Sequence, residues 1–140
     1  MNKHVIAVAT ALTLALPVQA QTAPELFVSL TSGVAQTQGV ALVLANQALS
    51  QKAPVRILLC SDGGQLAVKD KESPALKPSG KSPKEMLQGL MKAGAKVEVC
   101  ALFLPNADLK PTDLVEGVAV AKPADVASHM LQANVKTLSF

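Results

Sequence analysis

The 140-residue sequence contains no tryptophan, no tyrosine and only three phenylalanines, Phe27, Phe103 and Phe140. Recognition of nucleic-acid bases or sugars by stacking needs aromatic faces, so a stacking platform is not expected. Histidine is nearly as scarce, with only His4 and His129. These and two separated cysteines do not make the ligand spacing of a zinc site, so neither a metal nor a cofactor is expected. A Ser-His-Asp triad would have to use His129, and no nucleophile-elbow motif accompanies it. Charge of one sign is not concentrated either. Thirteen Lys and Arg face ten Asp and Glu, too even and too scattered for a nucleic-acid or anionic-membrane partner.

Long apolar runs are missing everywhere except at the start. Met1-Asn2-Lys3 is positively charged, Val5 to Leu16 is apolar, and Pro17-Val18-Gln19-Ala20 places small Val18 and Ala20 before a cut. This is the three-part pattern of a secretory signal. Its apolar run is about a dozen residues, short of the roughly 20 needed to span a bilayer. The expectation is a signal peptide over 1–20, a single domain over 21–140, and a periplasmic or secreted product with no membrane attachment after cleavage. Losing Lys3 leaves twelve basic residues against ten acidic ones. The remaining chain is long enough for one core.

Strand-like and helix-like stretches alternate through that domain. Leu26–Leu30 reads as a strand, with Thr31-Ser32-Gly33 as its exit. Gln38–Leu49 reads as a helix, with Thr37 as N-cap and Val40, Val43, Leu44 and Ala48 on one face at helical spacing. Val55–Cys60 is a continuous apolar strand of the kind parallel sheets bury on both faces, and Ser61-Asp62-Gly63-Gly64 turns out of it. Gln65–Lys81 reads as a long surface loop. Ser82-Pro83-Lys84-Glu85 is a helix start with cap, first-turn proline and capping box. Met86, Leu87, Leu90 and Met91 form the buried stripe of that helix, and Gly94 closes it. Lys96–Leu102 is a third strand, Phe103–Lys110 a loop, Pro111–Val115 a helical turn and Val118–Val120 a fourth strand. Pro123 opens a last helix with Val126, Ala127, Met130 and Leu131 inward, and Lys136–Phe140 is a final strand. The alternation predicts an α/β fold with a parallel sheet and right-handed crossovers.

Sites in such sheets lie beyond the carboxyl ends of the strands. Three exits fit: Thr31–Gly33, Cys60–Gly64 and Cys100–Phe103. Thr31, Ser32, Gly33, Ser61, Asp62, Gly63 and Gly64 are therefore candidate pocket-loop residues. The Ser61–Gly64 turn has backbone N–H groups that could form an anion nest, which Asp62 opposes; it matches neither the P-loop nor the dinucleotide pattern. Cys60 and Cys100 are the candidate reactive groups, both near strand ends. Position alone leaves three roles open: a reactive thiol, a disulfide as exported proteins favour, or small apolar core residues. A disulfide needs Cα atoms within about 7 Å, which only adjacent strands in matched register provide, so strand order decides whether they can bond.

Met86-Leu87-Gln88-Gly89-Leu90-Met91-Lys92-Ala93-Gly94-Ala95-Lys96-Val97-Glu98-Val99-Cys100 resembles the helix, glycine, strand and cysteine of the DsrE/DsrF-like sulfur-relay family. Asp113–Val118 and Val135–Phe140 resemble that family's C-terminal half. The resemblance spans most of residues 25–140 and makes this chain look like an exported member. It implies a three-layer α/β/α domain with a five-stranded parallel sheet in the order 4-3-2-1-5, which makes strands two and three neighbours. It also implies a homo-oligomer, trimer or hexamer. It places a persulfide-carrying thiol at Cys100, with Cys60 as partner or disulfide mate, and a thiol or persulfide protein as the exchange partner. A binding or assembly module without catalysis is the other function this fold would host.

Overall fold

The computed structural model of the chain describes residues 23–140; the signal-peptide reading over Met1–Ala20 lies outside the described residues. The elements run β1 (Glu25–Leu30), α1 (Ala35–Ser50), β2 (Val55–Leu59), a 3-10 helix (Ser61–Ala67), α2 (Pro83–Lys92), β3 (Lys96–Val99), α3 (Phe103–Asn106), a second 3-10 helix (Pro111–Asp113), β4 (Ala119–Val120), α4 (Pro123–Met130) and β5 (Val135–Ser139). The five strands form one sheet in the order β4-β3-β2-β1-β5, and every pairing is parallel. This is the α/β/α architecture and the strand order that the family resemblance implies. No helix among the described residues is long and apolar enough to cross a membrane.

Alternation along the strands separates the two faces. Val28, Leu30, Ile57, Leu59, Val97 and Val99 point into the larger core, which α1 and α2 cover with Leu42, Leu87 and Leu90. Phe27 points the other way, under α4, with Ala121 and Val126. Phe27, Leu30, Leu42, Ile57, Leu59 and Leu87 are all fully buried, and each such side chain contributes roughly 1.5–3 kcal/mol by leaving water.

Local chemistry explains α2. Ser82 Oγ accepts from the Glu85 N–H, and Glu85 Oε2 accepts from the Ser82 N–H at 2.7 Å, closing the expected capping box with Pro83 in the first turn. Gly94 follows with φ 101°, a conformation glycine adopts without strain. Leu87 and Leu90 are buried as expected, and Met86 and Met91 pack half-buried beside them.

Two faces differ from expectation. α1 begins at Ala35 with Val34 at the cap position, and Thr37 lies inside the helix. The Val34 N–H is held by Ser32 Oγ at 3.1 Å. Gln38, Gly39, Ala41, Leu42 and Ala45 are the buried residues of the helix; Ala41, Leu42 and Ala45 join the core, while Gly39 lies against Leu76. Val40, Val43 and Leu44 are 54%, 49% and 43% exposed. Both sides of this helix are apolar, so spacing does not tell them apart; small Ala41 and Ala45 let the backbone approach closely, and that side takes the core. In α4, Val126 is buried, but Ala127 and Met130 are exposed and Leu131 is 85% exposed. The helix ends at Met130 and the chain turns toward β5 there, which carries the last apolar residues outward. His129 takes the inward place. Its ring lies 5.8 Å from that of Phe27, and Nε2 is 3.2 Å from Glu25 Oε1 at an angle too poor for a hydrogen bond.

A buried ion pair crosses the α4 face. Arg56 Nε donates to Glu98 Oε2 at 2.6 Å, and both side chains are 6% exposed. Lys96 Nζ adds a contact to Glu98 Oε1 at 3.1 Å. Burial opposes ionisation of Glu98, but the Arg56 and then the Lys96 hydrogen bonds outweigh it and hold the carboxyl below its ordinary range.

Candidate functional site

The β2–β3 pairing brings the cysteines together. Leu59 is the register partner of Val99, and Cys60 and Cys100 follow them by one residue each. The ladder continues through both: the Cys60 N–H donates to Leu30 O at 3.0 Å, and the Cys100 N–H to Leu59 O at 2.8 Å. Neighbouring parallel strands lie about 4.8 Å apart, inside the reach of a disulfide. Both residues are free thiols here, and both are half-buried.

Cys100 conditions the Cys60 thiol. The Cys60 thiol is pushed up to about 12, by burial first, then by its hydrogen bond to Cys100 and by charge repulsion from it; the Cys100 backbone N–H works in the opposite direction. Cys60 therefore keeps its proton at neutral pH.

The chain leaves β2 through Ser61, whose φ of 49° turns it straight into the 3-10 helix. What reads as a plain turn is thus a helix that folds Gln65 back under the cysteines. Two glycines make this possible. Gly63 lies flat against the Leu30 carbonyl, where a side chain would collide with backbone, and its N–H donates to Thr31 O at 3.1 Å. That N–H is therefore not free for an anion. At Gly64 a Cβ would meet the Phe103 ring at 2.5 Å. Phe103 opens α3, the four-residue helix that stands where a loop is expected.

Cys60 and Cys100 wall an open cavity of about 340 Å³, together with Asp62, Gln65, Leu102 and Phe103. Leu102 is 70% exposed at its edge. Gln65 Oε1 is buried and has no hydrogen-bond partner among the described residues. Asn106 Nδ2 donates to Leu102 O at 2.7 Å. Asp62 has no cation within ion-pair distance among the described residues.

A second cavity, of about 470 Å³, opens beside the first at the start of α1, and Asp62 and Gln65 wall it too. Gly33 lines it, with Lys71, Glu72 and Lys84 on the far side. Lys84 Nζ is fully engaged, donating to the carbonyls of Val68 at 2.7 Å, Lys69 at 2.6 Å and Lys71 at 2.6 Å. Of the seven loop residues predicted to form a pocket, Gly33, Ser61 and Asp62 line cavities. Gly63 and Gly64 are buried packing positions. The Thr31 hydroxyl donates to Phe140 O, and the Ser32 hydroxyl serves the start of α1. Gln65 lies outside the three exits expected to bear a site, and Leu102 and Phe103 lie within the third without being singled out as pocket residues. The Gly63-Gly64 pair was the one local signal for them, since adjacent glycines mark close approach of another segment.

No protein-family model matches the sequence, and no curated protein is significantly similar to it. Solved structures are similar in fold. The ychN protein from E. coli superposes with a TM-score of 0.70 at 20% identity, over 85% of this chain and 100% of that one. MTH1491 of Methanobacterium thermoautotrophicum, described as a protein of unknown function, gives 0.60 at 15% identity over the same shares. The chain has a DsrE/YchN-like fold.

Proposed function

We propose that the protein transfers sulfur or exchanges thiols through Cys100, with Cys60 as its partner. The observation that carries this reading is the side-by-side placement of two free thiols, one held protonated, in a cavity at the carboxyl edge of the sheet. In the loading step the Cys100 thiolate attacks the outer sulfur of a donor persulfide. The donor S–S bond breaks, the donor leaves as a thiolate, and Cys100 carries the persulfide. An acceptor thiolate then takes the outer sulfur and returns the Cys100 thiolate. In the absence of an acceptor, the Cys60 sulfur attacks Cys100 Sγ, hydrogen sulfide leaves, and a Cys60–Cys100 disulfide forms, which an external dithiol must reduce. Donor and acceptor are proteins or small molecules bearing a persulfide or a thiol. We further propose that residues 1–20 act as a cleavable leader, which would put this chemistry in the periplasm or outside the cell.

The test is intact-mass analysis of the mature protein after exposure to a persulfide donor. Gain of one sulfur atom by wild type and by Cys60→Ser, with none in Cys100→Ser, is the expected result. A Cys100 that takes up no sulfur ends the transfer reading. Analysis of the exported product also locates the cut, expected after Ala20.

The exposed stripe of Val40, Val43 and Leu44 favours a further reading, assembly of like chains. It borders a groove that runs past Leu76, Pro78 and Met86, in which Lys77 is the one charged residue. We propose that the protein forms a homo-oligomer, trimer or hexamer, through this face of α1. Light scattering on wild type and Val43→Glu is the check; a wild type that stays monomeric at high concentration overturns it.

A further inference from the structure

The walls of the thiol cavity hold acceptors and no cationic side chain. Asp62 contributes a carboxylate with no ion-pair partner among the described residues. Gln65 contributes a buried carbonyl oxygen without a hydrogen-bond donor among the described residues. An unpartnered buried acceptor is costly and marks a place where a donor belongs. The amide of Asn106 already directs its N–H to Leu102 O. Lys71 and Lys84 line the adjoining cavity with Glu72, and among the described residues neither forms an ion pair with Asp62. Lys84 is enclosed by three carbonyls, and Lys71 stands beside Glu72.

We propose that Asp62 and Gln65 select the sulfur substrate by charge, favouring thiols, disulfides and persulfides that carry an ammonium or guanidinium near the sulfur. The matching partner is an aminothiol or a peptide cysteine flanked by Lys or Arg. Carboxylate-bearing sulfur compounds are disfavoured. The cation sits against Asp62, the Gln65 side chain turns its amide oxygen out of its buried position to meet a donor N–H, and the sulfur is left facing Cys100. This inference rests on the thiol reading above, and the experiment separates the two.

The probes are three symmetric disulfides: cystamine (cationic), hydroxyethyl disulfide (neutral) and dithiodiglycolate (anionic). In each reaction the Cys100 thiolate attacks one probe sulfur, the probe S–S bond breaks, a mixed disulfide forms and one probe half leaves as thiolate. Rates of adduct formation on the reduced protein are divided by the rates of free cysteine with the same probes. At low ionic strength the normalised rates should fall from cystamine to hydroxyethyl disulfide to dithiodiglycolate, by about threefold per unit of charge, and converge in high salt. Asp62→Asn should flatten the series and Asp62→Lys invert it. Gln65→Leu should slow cystamine and leave the anionic probe unchanged. Asp62 is exposed, so its variants keep the fold, which circular dichroism verifies. Equal normalised rates in wild type, or an unchanged series in Asp62→Asn, overturn charge selection while leaving thiol exchange standing. A Cys100 inert to all three probes overturns both.

Discussion

Arg56 and Glu98 form a dry ion pair across β2 and β3, with 2.6 Å between Nε and Oε2. Among the described residues Arg56 Nη2 has no hydrogen-bond partner and Glu98 is the one carboxylate paired with the guanidinium. Glu98→Gln should destabilise the fold by about 3–5 kcal/mol, because it leaves a buried cation uncompensated. Replacing both residues by apolar ones should recover most of that loss. Urea unfolding at neutral pH measures it.

The same pair sets an acid limb. The Glu98 carboxyl is held low in the folded state, so its contribution is complete above the unfolded value of about 4.3 and fades as pH falls through the lower folded value. Stability should drop on acidification in wild type, and that part of the drop should be missing in Glu98→Gln. Identical acid limbs would contradict this.

Cys60 acts at the other end of the scale. Its folded value is raised to about 12, while an unfolded cysteine ionises near 8.5. Between these the folded state holds the extra proton, so stability falls as pH rises. Cys60→Ser should flatten the alkaline limb. Peptide mapping after brief iodoacetamide treatment at pH 8 should find label on Cys100 well ahead of Cys60.

Gly64→Ala tests the wall of the thiol cavity. The added methyl overlaps the Phe103 ring and should cost about 1–3 kcal/mol as an overpacking change. Displacing Phe103 should also change the alkylation rate of Cys100, whereas Gly89→Ala, where nothing lies within 4 Å of an added Cβ, should not.

Ser82→Ala removes the cap of α2 and should cost about 1 kcal/mol. The loss should appear as a lower thermal midpoint with thiol reactivity unchanged.

Legibility followed the range of the interactions. The α2 cap was readable because Ser82, Pro83 and Glu85 act on one another within a single turn. The buried strands were readable from apolar runs. Strand order came from the family resemblance, since the neighbour of Cys60 is Cys100, forty residues on, and no periodicity links them. The buried face of α1 is not legible from spacing because Val40 and Leu42 are equally apolar; small Ala41 and Ala45, which fit the core, make the choice. Gln65 was read as the start of a loop because a left-handed Ser61, rather than any pattern around Gln65, returns it to the thiols.

Lys84 gives the loop between the 3-10 helix and α2 a particular independence. Three carbonyls converge on its ammonium much as oxygen ligands gather around a bound cation. Here the cation is covalently tethered to the first turn of α2, so no chelator can withdraw it and no change in mineral supply can empty it. That loop carries its own permanent cation.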